Sequence, residues 1–134
     1  MISLDTNLVL SAINLNDTNH ARAVSALVLH SSRAFCLCPV VYTELRASAT
    51  WPGIDLWLTS QGVGVVWAMP DSVWDAAGMA FGQYTTLRRA GSLPRRIAAD
   101  FLIAAHAQHH GLEMLSFDDT VLRAAFSSVT LLPC

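Results

Sequence analysis

The strongest constraint on what this chain can fold into is the length of its apolar runs. Five of them, Met1–Leu4, Ala34–Cys38, Val63–Ala68, Glu113–Phe117 and Ser128–Leu132, are four to six residues long. Runs that short, stopped by turn residues, read as strands rather than helices. Between them lie stretches with helical spacing: Leu8–Leu15, His20–His30, the segment opened by Pro39, Ile54–Ser60, the segment from Pro70 to Ala90, the segment from Pro94 to His110, and Val121–Phe126. Trp51-Pro52-Gly53 reads as a break between two helices, and Gly111 as a helix stop. Short strands alternating with helices predict an α/β fold, a three-layer α/β/α sandwich with a mostly parallel central sheet. At 134 residues the chain is expected to form one domain, 1–134.

Composition narrows the function. Hydrophobic residues make up 53% of the chain and the mean hydropathy is +0.42, yet no apolar run approaches the roughly 18 residues of a membrane span. The start, MISLDTN, has neither a basic region nor a signal-peptide core. These features predict a cytoplasmic protein, with no membrane association, whose surplus apolar surface meets a partner or a second copy. The net charge of −2 gives no basic footprint for nucleic acid. All eight cationic residues are arginine. The absence of lysine excludes the usual forms of P-loop enzymes, receiver domains and haloacid-dehalogenase-like phosphatases, and no Gly-x-Ser-x-Gly elbow is present. Cys36, Cys38 and Cys134 are too closely or too widely spaced for a zinc knuckle and read as small core residues.

One charged residue stands out. From Ile97 to Ala107 the chain is almost entirely apolar or small, except for Asp100. Burying a carboxylate is costly unless something compensates it. With Pro94 read as the helix start, Asp100 lies more than a turn inside, which argues against a capping role. It therefore calls for a cation, or for other acids that share one. In parallel α/β folds, sites form at the carboxyl edge of the strands. Asp5 and Asp118 directly follow the first and fourth strands. Helix starts lie at the same edge, and Glu44 and Asp100 are five and six residues past Pro39 and Pro94, roughly 8–9 Å along their helices at 1.5 Å per residue. Four converging carboxylates are tolerable only with bound cations, and all-oxygen ligands select hard ions such as Mg²⁺ or Mn²⁺.

Asp5-Thr6-Asn7, Thr43-Glu44-Leu45, Ala99-Asp100-Phe101-Leu102-Ile103-Ala104-Ala105 and Ser116-Phe117-Asp118 together resemble the PIN domain, in order and spacing, over essentially the whole chain. The short form resembles the VapC-type toxins of bacterial toxin–antitoxin pairs. The resemblance implies a Mg²⁺- or Mn²⁺-dependent endoribonuclease that acts on RNA, forms a homodimer and is silenced by a cognate antitoxin. It implies an acidic quartet of Asp5, Glu44, Asp100 and Asp118, with Asp5, Asp100 and Asp118 on the metal, Glu44 binding or orienting water, and Thr6 and Ser116 in support. Asp118 is favoured over its neighbour Asp119 because of its offset from Ser116. Arg95 and Arg96, with Arg46, Arg88 and Arg89, are the candidates for contacting RNA phosphates.

Simpler uses exist for single members. Asp5 is a good N-cap; Glu44 can pair with Arg46; Asp118 or Asp119 can cap the helix near Val121. Asp17, Asp55, Asp71 and Asp75 read as solvated or capping acids. His106 and His110 share the i, i+4 spacing of zinc peptidases but lack the glutamate between them, and read as solvent-facing residues near the helix C-terminus. Trp51, Trp57, Trp67 and Trp74 read as packing residues rather than base-stacking platforms. The competing functions are a catalytically inactive interaction module, against which the complete quartet argues, and a housekeeping RNA-processing nuclease of the same fold.

Overall fold

A computed structural model describes residues Met1–Cys134. Its elements follow the order β1 (Ile2–Leu4), α1 (Thr6–Ile13), α2 (His20–Leu29), β2 (Phe35–Leu37), α3 (Pro39–Arg46), α4 (Trp51–Ser60), β3 (Gly64–Val65), α5 (Asp71–Ala90), α6 (Ala98–His110), β4 (Glu113–Leu115) and α7 (Thr120–Ala125). The four strands are parallel, in the order β3-β2-β1-β4. Ile2 lies opposite both Phe35 and Glu113, which sets the register at the sheet centre. With helices flanking the sheet, this is the expected α/β/α sandwich.

The strand order matters for the site. The chain moves outward from β1 to β2 to β3, then returns across the sheet to place β4 on the other side of β1. The order therefore reverses between β1 and β4, and a crevice opens beyond their carboxyl ends at such a point. The backbone continues the pairing one step further, with the Asp5 N–H donating to the Leu115 carbonyl at 3.0 Å. That bond holds the exits of β1 and β4 side by side.

The core is continuous. Ile2, Leu4, Leu37 and Leu115 from the strands are fully buried, as are Leu8, Val41, Leu45 and Phe101 from the helices. Phe101 anchors α6 against α5, stacked on Phe81 with centroids 5.0 Å apart and meeting Tyr84 edge-on at 5.3 Å. Cys36 and Cys38 are buried free thiols on either side of Leu37, and burial pushes the Cys38 thiol up to about 11. No helix is long and apolar enough to cross a membrane.

Four expectations about local structure are corrected. Trp51-Pro52-Gly53 forms the first turn of α4 instead of a break, because proline is well suited to a helix's first turn, where no donor is lost; the boundary falls earlier, at Ala47–Thr50. The third strand is only Gly64–Val65. The Val66 and Ala68 carbonyls beyond it accept hydrogen bonds from His106 and His110, so this edge is covered by side chains rather than extended by another strand. Ser128–Leu132 makes a single bridge, Met114 to Leu131, with no strand around it. Finally, α6 begins at Ala98, not Pro94. The Tyr84 hydroxyl donates to the Pro94 carbonyl, which fixes the preceding segment in a non-helical path along α5. At its other end α6 stops at Gly111 with φ +64°, the left-handed conformation that glycine adopts without strain.

Candidate active site

The crevice beyond β1 and β4 is a cavity of about 270 Å³. Asp5, Glu44, Asp100 and Asp118 all line it, with Thr6, Asn7 and an apolar floor that includes Ile103 and Ala104. Four acids that are 39, 56 and 18 residues apart in the chain thus share one concavity.

Asp5 is the deepest. It is the N-cap of α1, and one carboxylate oxygen accepts the Thr6 N–H at 2.8 Å. The other accepts the Ser116 hydroxyl at 2.6 Å. Burial pushes its carboxyl above the usual range; the bonds from Ser116 and Thr6 oppose this, and the charges of Asp100 and Asp118 add to it. Capping is therefore a real role of Asp5, and it operates inside the cavity.

Glu44 lies on the exposed side of α3, at the cavity's mouth. Its Oε1 accepts the Thr6 hydroxyl at 2.8 Å. Partial desolvation raises its carboxyl, against the Thr6 bond, and the charges of Asp5 and Asp100 raise it further. Thr6 thus ties β1's exit to α3. The alternative pairing of Glu44 with Arg46 does not form; the Arg46 guanidinium lies over the Trp51 ring, 5.4 Å from its centroid.

Asp100 departs from its expected setting. Because α6 starts at Ala98, Asp100 is the third helical residue, and its Oδ2 accepts the Ile97 N–H at 3.0 Å. It does cap the helix, contrary to the sequence reading, and no arginine pairs with it. Asp118 is where the arginine goes. Its Oδ1 accepts the Thr120 N–H at 2.9 Å, and Arg96 Nη2 lies 2.7 Å from its Oδ2. Burial alone would raise the Asp118 carboxyl, but Thr120 and Arg96 together outweigh it and hold the group below the usual range. Asp119 faces elsewhere and pairs with Arg123 at 3.2 Å.

Ser116 is buried and ties the site together. Its hydroxyl donates to Asp5 while accepting the Asp118 N–H at 3.1 Å. The amide of Asn7 reaches both Ser116 Oγ and the Phe117 N–H at 3.5 Å. The sequence alone gives Asn7 no role beyond its place in the Asp5-Thr6-Asn7 turn. Arg95 is exposed beside Arg88, in a cleft between α5 and the start of α6, and only Arg96 reaches the acids.

The PIN domain model matches residues 2–127. The chain belongs to the PIN domain family. No curated protein matches its sequence. Among solved structures it is similar to VapBC2 from Rickettsia felis bound to a DNA fragment from their promoter, with 19% identity, a TM-score of 0.64 and 98% of each chain covered. It is also similar to FitAcB from Neisseria gonorrhoeae, with 20% identity, a TM-score of 0.62 and 98% and 96% of the two chains covered. DNA-bound VapBC from Salmonella typhimurium matches with 21% identity, a TM-score of 0.57 and 98% of each chain covered. At these identities the likeness is one of fold.

In this PIN domain the donor set is all oxygen: four carboxylates, two hydroxyls and one amide. Such a set fits a hard divalent cation and no soft one. The carboxylates do not close into a ready cage, since no three acidic, histidine or cysteine side chains form a metal-holding group. All four already accept hydrogen bonds, and Asp118 alone also faces a cation, Arg96. The histidines form no such group either. His106 is fully buried, not solvent-facing, and its Nε2 bonds the Val66 carbonyl at 2.8 Å. The helix around it is apolar on nearly every side, and His106 meets the Val66 carbonyl and the His110 ring, 4.5 Å between centroids.

Proposed function

We propose that this PIN domain is a Mg²⁺- or Mn²⁺-dependent endoribonuclease, the toxin of a bacterial toxin–antitoxin pair acting in the cytoplasm. The observation that carries this reading is the convergence of Asp5, Glu44, Asp100 and Asp118 on one cavity at the sheet's switch point. Asp5, Asp100 and Asp118 are the residues that would hold the metal. When bound, the ion supplies charge to stabilise a phosphorane and lowers the pKa of a bound water.

The remaining chemistry belongs to the chain. Ser116 and Thr6 fix the Asp5 carboxylate before any ligand arrives, so little reorganisation is needed at the reacting centre. Glu44, held by Thr6 at the mouth and with its carboxyl raised, is suited to orient a water and take its proton. Arg96, beside Asp118, and Arg95, next to it in the chain, would be the contacts for substrate phosphate. Leu56, Trp67 and Met79 expose apolar surface that a second copy and a small antitoxin would cover. The resemblance to complexes named VapBC and FitAcB supports such a partner.

The test is cleavage of single-stranded RNA by carefully purified protein. Cleavage is expected with Mg²⁺ or Mn²⁺ and none in EDTA. Undiminished cleavage in EDTA, or none with any divalent ion once the antitoxin is removed, would overturn the proposal.

A further inference from the structure

Arg96 is the one cation that reaches the acidic cavity. Its Nη2 lies 2.7 Å from Asp118 Oδ2 and 3.3 Å from the Thr120 hydroxyl, while its Nη1 donates to the Arg95 carbonyl at 2.8 Å. Its Nε is buried without a partner. Each Asp118 oxygen has a partner, the Thr120 N–H at Oδ1 and the Arg96 guanidinium at Oδ2, and only the second carries a charge.

We propose that Arg96 is a built-in counter-ion that competes with the metal for Asp118. In the metal-free protein its guanidinium supplies the positive charge that the acid cluster needs. A divalent cation bound at Asp118 would meet the like charge of Arg96 at the same carboxylate, 2.7 Å from Oδ2, and so would disfavour the guanidinium there. Metal and guanidinium are then alternative partners of one carboxylate, and their binding is antagonistic. The released guanidinium is one of the two proposed above to contact substrate phosphate, so loading the metal and exposing a phosphate ligand become one event. This inference rests on the proposed metal site and adds a residue that sets its affinity. Toward the metal, Arg96 acts only through Asp118.

The experiment titrates Mn²⁺ into RNA-free protein by calorimetry and follows the melting temperature with Mn²⁺ and with EDTA. The proteins are the wild type, the neutral variants R96Q and R96M, the charge-preserving R96K, D118N, and the double variant R96Q/D118N. A partly exposed ion pair is worth up to about 1 kcal/mol, a factor of roughly five. Both neutral variants should therefore bind Mn²⁺ about fivefold more tightly than the wild type. They should also melt lower in EDTA, so that Mn²⁺ raises their melting temperature more. R96K should stay within about twofold of the wild type. In the double variant the gain should vanish, because competition acts only through Asp118. Unchanged or weaker Mn²⁺ binding in R96Q and R96M, with D118N weakened, would overturn the role of Arg96 and leave the metal site standing. Absence of saturable Mn²⁺ binding in every protein would overturn the metal site itself and this inference with it.

Discussion

Replacing Asp100 with asparagine separates its two roles, capping α6 and facing the cavity. Asparagine is nearly isosteric and keeps an acceptor for the Ile97 N–H, now 3.0 Å from Oδ2. The packing of Phe101 and Ala104 beside it should survive. What the metal-free protein loses is a negative charge in the first turn of a helix, worth about 0.3–1 kcal/mol. What it gains is relief from repulsion, since the charge of Asp100 raises the carboxyls of both Asp5 and Glu44. A like charge several ångströms away near a surface is worth about 0.5–2 kcal/mol. No arginine is left unpaired, because none pairs with Asp100. The two effects nearly cancel, and D100N in EDTA should lie within about 1 kcal/mol of the wild type, or about 3–5 °C in melting temperature for a domain of this size. Asp100→Ala, which also deletes the cap, should sit about 1 kcal/mol lower still. Both should abolish cleavage. With Mg²⁺ at about a hundred times its Kd, the wild type should gain about 2.7 kcal/mol and the variants almost nothing. Thermal melts with and without Mg²⁺, alongside an RNA cleavage assay, read all of these. A loss of about 3–5 kcal/mol in metal-free D100N, with cleavage retained by the folded fraction, would refute the reasoning and make Asp100 a purely structural acid.

Two further expectations concern pH and the buried histidine. In the metal-free protein the raised Asp5 carboxyl makes the folded state bind protons more tightly than the unfolded state, so stability falls as pH rises from about 3.8 through the raised value; the lowered Asp118 carboxyl acts oppositely, adding stability as pH rises toward 3.8. Urea unfolding in EDTA across this range should show a D5N-minus-wild-type difference that grows with pH above 3.8, and Mn²⁺ affinity should weaken as pH falls through the raised value, because protons compete for the ligand; a flat difference curve would count against a desolvated Asp5. His106→Ala deletes a fully buried ring and its bond to the Val66 carbonyl, and should cost about 2–4 kcal/mol in thermal unfolding without altering Mn²⁺ affinity. Burial lowers the His106 imidazole, so in the wild type its contribution should be lost as pH drops below about 6.5; a variant as stable as the wild type would show that the ring is dispensable.

Much of this PIN domain is determined by sequence because its signals are local. Short apolar runs between helical stretches define parallel strands, and an acid that closely follows a strand emerges at the sheet's carboxyl edge, as Asp5 does directly after β1 and Asp118 does just beyond the end of β4 at Leu115. The offset of Asp118 from Ser116 likewise separates it from Asp119, which lies outside the cavity. Other features depend on partners distant in the chain. Pro94 looks like a helix start, but the Tyr84 hydroxyl holds its carbonyl, and the helix begins four residues later with Asp100 as its cap. Val66–Ala68 has strand composition, yet its carbonyls meet His106 and His110, and the same contacts bury a histidine that its position near a helix end suggested was solvated. Asp119 and Arg123 pair at i, i+4, which the sequence shows locally, but which of the eight arginines meets Asp118 has no local signal. Arg96 and Asp118 are 22 residues apart on the segments before α6 and after β4, and only the return of the chain across the sheet brings those segments together. Hydrophobic periodicity specifies which faces are buried, whereas the pairing of charges is decided by the distances that the packed fold creates.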